Sequence, residues 1–202
     1  MWKQVLCHLP RIAALTLLGF TAALRAEATP YEEYTPQECE IGECRPATKL
    51  RMKVAPNETQ EVDIPSTAYH YSGLIRIISG ETLYFEMTPR VNPNLSFQSV
   101  TFVFVTENRN PAITLTVSLK EVDGPDGKPA AFMEISNPLS SALIYRVYMS
   151  APGEQGSRIA QVCPVMPGQT TFEHWRKPVE QLVLIDFRLE TEAAAQEWGC
   201  RS

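Results

Sequence analysis

The chain has 202 residues, 44% hydrophobic and 20% charged, with a formal net charge of −5 at pH 7. That length suits one domain with a proper core. The acidic balance is repelled by phosphate backbones and anionic lipid, which argues against nucleic-acid and membrane-surface partners.

At the N-terminus, Lys3 and Arg11 precede an apolar run from Ile12 to Leu24, and Ala26-Glu27-Ala28 follows. A positive start, a short apolar stretch and a small-residue exit are what a signal peptidase reads, so residues 1–28 are expected to be an export signal. The run is too short to cross a bilayer, which takes about 20 residues, and Arg25 closes it. Removing Lys3, Arg11, Arg25 and Glu27 leaves 15 basic and 22 acidic residues, a net charge of −7. The expected compartment is the periplasm or the extracellular space, with no stable membrane insertion after cleavage.

Residues 29–66 are acidic and interrupted by Pro30, Pro36, Pro46, Pro56 and Pro65. This predicts an extended, weakly structured arm with one short strand at Gln60–Ile64. Four cysteines follow the signal: Cys39, Cys44, Cys163 and Cys200. An even count in an oxidising compartment reads as two disulfides, with three connectivities open. The favoured pairing is Cys39–Cys44, a small loop containing Gly42, together with Cys163–Cys200. A zinc site built from the same residues lacks any C-x2-C pair.

From residue 67 onward the period is that of strands. Leu83, Phe85 and Met87 alternate with Thr82, Tyr84 and Glu86, and Ile113 to Lys120 alternates in the same way. Leu143, Tyr145, Val147 and Met149 form a further apolar face, as do Val183, Ile185, Phe187 and Leu189. The run Val100 to Val105 predicts a strand buried on both sides. Segments 73–78, 131–136 and 158–163 bring the total to about eight to ten strands. Between them lie turn formers such as Asn92-Pro93, Asn137-Pro138 and Pro167-Gly168. One helix is expected, at Glu190–Trp198, with Gly199 as its stop. An all-β sandwich over residues 67–202 follows, because no helices alternate with the strands.

Within it, the strand 131–136, the Asn137-Pro138 turn and the L-x-Y-x-V strand from Leu143 resemble the B–C strand pair of immunoglobulin-like sandwiches in exported bacterial proteins. The resemblance covers about twenty residues and carries no catalytic motif, so it implies a fold and not an activity.

Only His70 and His174 follow the signal, so any histidine-dependent hydrolase or metal-dependent enzyme must use one of them. The best such reading joins His174 to Glu173 or Asp186. No G-x-S-x-G elbow, H-x-H or H-E-x-x-H is present. A cysteine nucleophile at Cys163 competes with its disulfide. Met52, Met87, Met133, Met149 and Met166 lack the clustered Cys, His and Met ligands of a copper site. Asp123-Gly124-Pro125-Asp126-Gly127 reads as a hairpin turn and not a calcium loop.

The expected function is therefore non-catalytic, with no cofactor: an exported β-sandwich that binds or assists a protein partner in the cell envelope. Tyr84, Arg146, Tyr148 and Trp175 are the candidate contact residues. A pilus-chaperone-like assembly role would use Arg146 as its basic anchor. A surface component docking through its arm is a further alternative.

Overall fold

The computed structural model describes Cys39 and residues 42–200. The segment 1–28 and most of the arm before Gly42 lie outside the described residues. The chain forms an all-β sandwich whose strands run in the order β1 (Cys44–Arg45), β2 (Thr48–Ala55), β3 (Glu58–Ile64), β4 (Thr67–Ala68), β5 (His70–Tyr71), β6 (Leu74–Ile78) and β7 (Thr82–Arg90). They continue with β8 (Gln98–Val105), β9 (Thr114–Asp123), β10 (Pro129–Ser136), β11 (Ala142–Ser150), β12 (Arg158–Ala160), β13 (Thr170–Trp175) and β14 (Gln181–Glu190). One helix follows, α1 (Glu192–Trp198). The Thr191 hydroxyl caps it by accepting from the Ala194 N–H, and Gly199 ends it at φ 60°.

Ten strands form one antiparallel sheet that folds over on itself at β14. One edge of β14 pairs with β11 along its length. The other edge pairs first with β6, through Gln181–Leu184, and then with β8, through Arg188 and Leu189. The change of neighbour coincides with a bulge. The β11 register shifts between Ile144 and Arg146, and Asp186 takes φ 56°. Strands that switch layers commonly do so at such a bulge. One layer is thus β12-β11-β14-β6-β5 and the other β14-β8-β7-β9-β10-β13.

Between the layers lies a continuous core. It takes Ile75 and Ile77 from β6, Leu83, Phe85 and Met87 from β7, Val117 and Leu119 from β9, and Met133 and Ile135 from β10. The alternation of β7 and β11 read from sequence holds, because each has one face on this core. The face Val183, Ile185, Phe187, Leu189 does not hold. The bulge inserts one residue, so the core-facing set is Leu182 and Leu184 before it and Phe187 and Leu189 after it.

Two further expectations are corrected. The run Val100–Val105 is covered on one side only: Thr101 is exposed and Val103 is 60% exposed. The longer strand buried at every position is β6 instead, and Arg45 of β1 donates to its Arg76 carbonyl. The strand expected at Gln60–Ile64 is present as part of β3, but where the rest of 48–64 was expected to be weakly structured it forms a hairpin of β2 and β3 with a bulge between Lys53 and Ala55. Its cross-strand charges pair, Lys49 with Glu61 and Asp63, and its Met52 and Ile64 are buried. Lys53 anchors it to β9 by donating from its backbone to Glu121 and pairing with Asp123.

Both disulfides are formed, Cys39–Cys44 and Cys163–Cys200. The second ties the segment after β12 to the residue following α1. That helix packs Ala195 and Trp198 on the outer side of β11, over Ala142 and Ile144. Among the described residues no helix is long and apolar enough to cross a membrane.

Candidate functional site

The residues singled out in the sequence do not converge. Tyr84 lies on β7, opposite Val105 and Thr116, and is half-buried. Arg146 and Tyr148 share the outer face of β11, where Arg146 pairs with Asp186 at 3.4 Å. Trp175 lies on β13 in the other layer and turns its ring against the core. No common platform joins the four.

The hydrolase constellation is likewise dispersed. Glu173 turns toward the core side of β13, and its Oε1 accepts the Cys163 N–H at 2.7 Å. Burial raises its pKa, opposed by that hydrogen bond. His174 points to the opposite, solvent-facing side, as alternation demands. Asp186 sits on β14, with β8, β7, β9 and β10 between it and β13. His70 lies with its ring edge-on to Phe85 and Phe102, and burial lowers its pKa. Among the described residues, no three His, Cys, Asp or Glu side chains are grouped to hold a metal ion. With Cys163 in a disulfide there is no thiolate there.

What the structure does assemble is an open strand edge. Among the described residues β13 ends one layer and pairs only with β10. The phase of that ladder is fixed by Asn137 N–H donating to the Gln169 carbonyl at 2.9 Å. Opposed residues in an antiparallel pair alternate between bonded and non-bonded. The bonded pairs are therefore Ile135 with Thr171, Met133 with Glu173, and Ala131 with Trp175. The far side of β10 agrees, since Gly124 N–H donates to the Lys128 carbonyl and places Ala130, Phe132 and Glu134 on β9. It follows that the N–H and C=O groups of Thr170, Phe172 and His174 face away from the sheet, and no hydrogen bond occupies them among the described residues.

The side chains of those same three residues stand on the outer face. Phe172 is 58% exposed and stacks on Phe132 at 5.6 Å. His174 lies opposite Phe132, while Lys120 and Glu134 flank the aromatics at 3.9 Å from each other. Exposed edges are ordinarily blunted by lysine, proline or an inward charge. Here Thr170–Trp175 contains no lysine or proline, and its one carboxylate, Glu173, is engaged with Cys163. On the core side, Glu173 and the Thr171 hydroxyl, which donates to the Pro164 carbonyl at 3.3 Å, fasten the strand to the 163–165 segment. That segment reaches the other layer through the Leu143–Val165 bridge. Among the described residues the strand is fastened on its core side and its outer edge is unpaired.

Trp175 is one of the four residues expected at the contact surface. Phe172 and His174 were available by the same alternation that turned Trp175 inward. The missing signal was that β13 has no second neighbour among the described residues, which only the topology supplies. Comparison with protein-family models, with curated proteins and with solved structures gives no match.

Proposed function

We propose that this is an exported, non-catalytic β-sandwich protein of the cell envelope that binds a partner protein by taking an extended segment of it as an added strand on β13. The observation that carries the reading is the row of unoccupied backbone groups at Thr170, Phe172 and His174 beside a solvent-facing Phe172. Strand addition draws affinity from main-chain bonds and selectivity from alternate side chains. The Phe132–Phe172 pair offers the apolar contact that alternate residues of an incoming segment would cover. Two disulfides suit an oxidising compartment. An immunoglobulin-like arrangement is the matching fold reading. It is supported by β10 and β11, consecutive in sequence, lying in different layers, as the B and C strands of such sandwiches do.

The test places a photo-crosslinking residue at position 172 and maps adducts formed in the native envelope. The reading expects adducts confined to one extended segment of one protein, and their loss in His174→Pro, which deletes an edge donor. Adducts scattered over many proteins, or undiminished in His174→Pro, refute it.

A further inference from the structure

We propose that, in the absence of a bound segment, β13 pairs antiparallel with β13 of a second copy, so that a two-fold dimer occludes the edge. This inference rests on the reading of β13 as the site of strand addition and adds how that site is guarded.

The occupant follows from the strand itself. An antiparallel neighbour must set outward-facing backbone groups against outward-facing ones. For two copies of Thr170–Trp175 this means that even-numbered residues oppose even-numbered residues. An axis centred on any residue of the strand satisfies the condition, and those at Phe172 and Glu173 keep the longest overlap, five of its six residues. Centring the axis on Glu173 sets the two half-buried carboxylates directly opposite each other in a non-bonded pair, where Cα atoms approach to about 4.5 Å, and like charges repel there. Centring on Thr171 sets His174 against Gly168, whose φ of 63° lies outside any strand. Centring on Phe172 avoids both: Phe172 opposes its counterpart, Thr170 opposes His174, and Thr171 opposes Glu173.

In that register the two Phe172 rings stand on the same outer face with Cα atoms about 5.5 Å apart. The stacked pair Phe132–Phe172 then continues into its copy as one aromatic row. Each Glu134 stays beside its own Lys120, three strand spacings from the other copy's Glu134, so the net negative charge of the chain is not concentrated at the seam. The dimer also gives the unblunted edge the protection that its sequence does not provide.

Hydrogen exchange at the Phe172 and His174 amides of the exported chain, followed against protein concentration beside sedimentation, is the test. The dimer predicts protection that rises with concentration in step with a monomer-to-dimer transition, both abolished in His174→Pro. Fast exchange at every concentration in a monomer overturns the dimer while leaving the open edge standing. Slow exchange in a monomer overturns both, because the amides are then bonded within the chain. The register is tested by mild thiol oxidation. Phe172→Cys is expected to cross-link to itself, and Thr170→Cys to His174→Cys only when the two variants are mixed. Self-cross-linking of His174→Cys contradicts the Phe172-centred pairing.

Discussion

Arg45 and Glu81 form a two-pronged ion pair between the N-terminal segment and the sandwich, with Nε 2.7 Å from Oε1 and Nη2 2.5 Å from Oε2. Arg45 is 2% exposed and spends two further donors on the Thr67 hydroxyl and the Arg76 carbonyl, while its guanidinium lies over the Tyr69 ring. Glu81 also accepts the Ile78 N–H, so the carboxylate holds the β6–β7 turn in shape. In that turn Gly80, at φ 91°, lets the chain reverse tightly enough to donate to Leu119 of β9. One arginine therefore joins β1, β4, β6 and the turn leading to β7. The described part of the arm is docked on its own sandwich.

Breaking that pair leaves a carboxylate with an unmet charge beside buried backbone. Arg45→Met is expected to lower stability by about 3 kcal/mol, the lower end for a buried pair because Glu81 keeps some contact with water. Denaturant unfolding checks the magnitude. Hydrogen exchange at Tyr69, whose N–H donates to the Glu43 carbonyl, reports whether the segment undocks first.

Burial raises the pKa of Glu173 above its usual value of 4.5, and the Cys163 N–H opposes the shift without cancelling it. The folded state then holds its proton more tightly than the unfolded chain does. Stability is greatest where Glu173 is protonated, below 4.5, and falls as pH rises from there through the raised pKa. Glu173→Gln keeps an acceptor for Cys163 and carries no charge. The expected outcome is a urea midpoint that loses this decline, with a gain over wild type that opens above pH 4.5 and is full above the raised pKa.

His70 behaves in the opposite sense. Its buried ring is edge-on to Phe85 and Phe102, and burial alone lowers its pKa from 6.5. Above 6.5 both states are neutral and the contribution is full. It is lost as pH falls from there through the lowered pKa, because only the unfolded chain accepts the proton readily. In His70→Phe the urea midpoint should show no such loss over that interval. A variant that retains the wild-type slope would assign the titration to another group.

The fold was legible in the sequence where one physical signal sufficed. β7 and β11 alternate because one face of each meets the core, and α1 carries its cap and its stop in Thr191 and Gly199. The favoured cysteine pairing is the one formed. The sequence was silent where the outcome depends on a distant neighbour. Arg45 looks like any charged arm residue until Glu81, 36 residues away, meets it. The bulge at Asp186 shifts the face of β14 without any glycine to announce it. The hairpin of β2 and β3 is mostly polar and gains its order from cross-strand charges and two buried anchors, which hydropathy does not register. For the site, the alternation along Thr170–Trp175 is a property of those six residues, but the unpaired edge is a property of sheet order.

The Cys163–Cys200 disulfide closes a separation of 37 residues and holds α1 against Ala142 and Ile144. The helix itself buries only Ala195 completely, so the staple and not packing dominates its attachment. Replacing both cysteines by serine should cost about 4 kcal/mol in the chain-entropy account. Fluorescence of Trp198 and amide exchange across α1 should show the helix releasing before the sandwich unfolds.

Adjacent threonines provide the sharpest check on the edge. The Thr171 N–H donates into β10, whereas the Thr170 N–H faces away from the sheet. Proline lacks a donor, so it is tolerated at edge positions whose N–H faces outward and penalised where a ladder bond is removed. Thr170→Pro is expected to cost under about 1 kcal/mol, and Thr171→Pro roughly 3 kcal/mol, by denaturant unfolding. The two variants differ by one position in the same strand, and Thr171→Val measures separately the hydroxyl bond to Pro164 that Thr171→Pro also removes. Equal losses would mean that the bonded phase of β13 is misassigned, and with it the outward direction of the Phe172 and His174 backbone groups. A large difference in the stated order fixes that direction without reference to any partner.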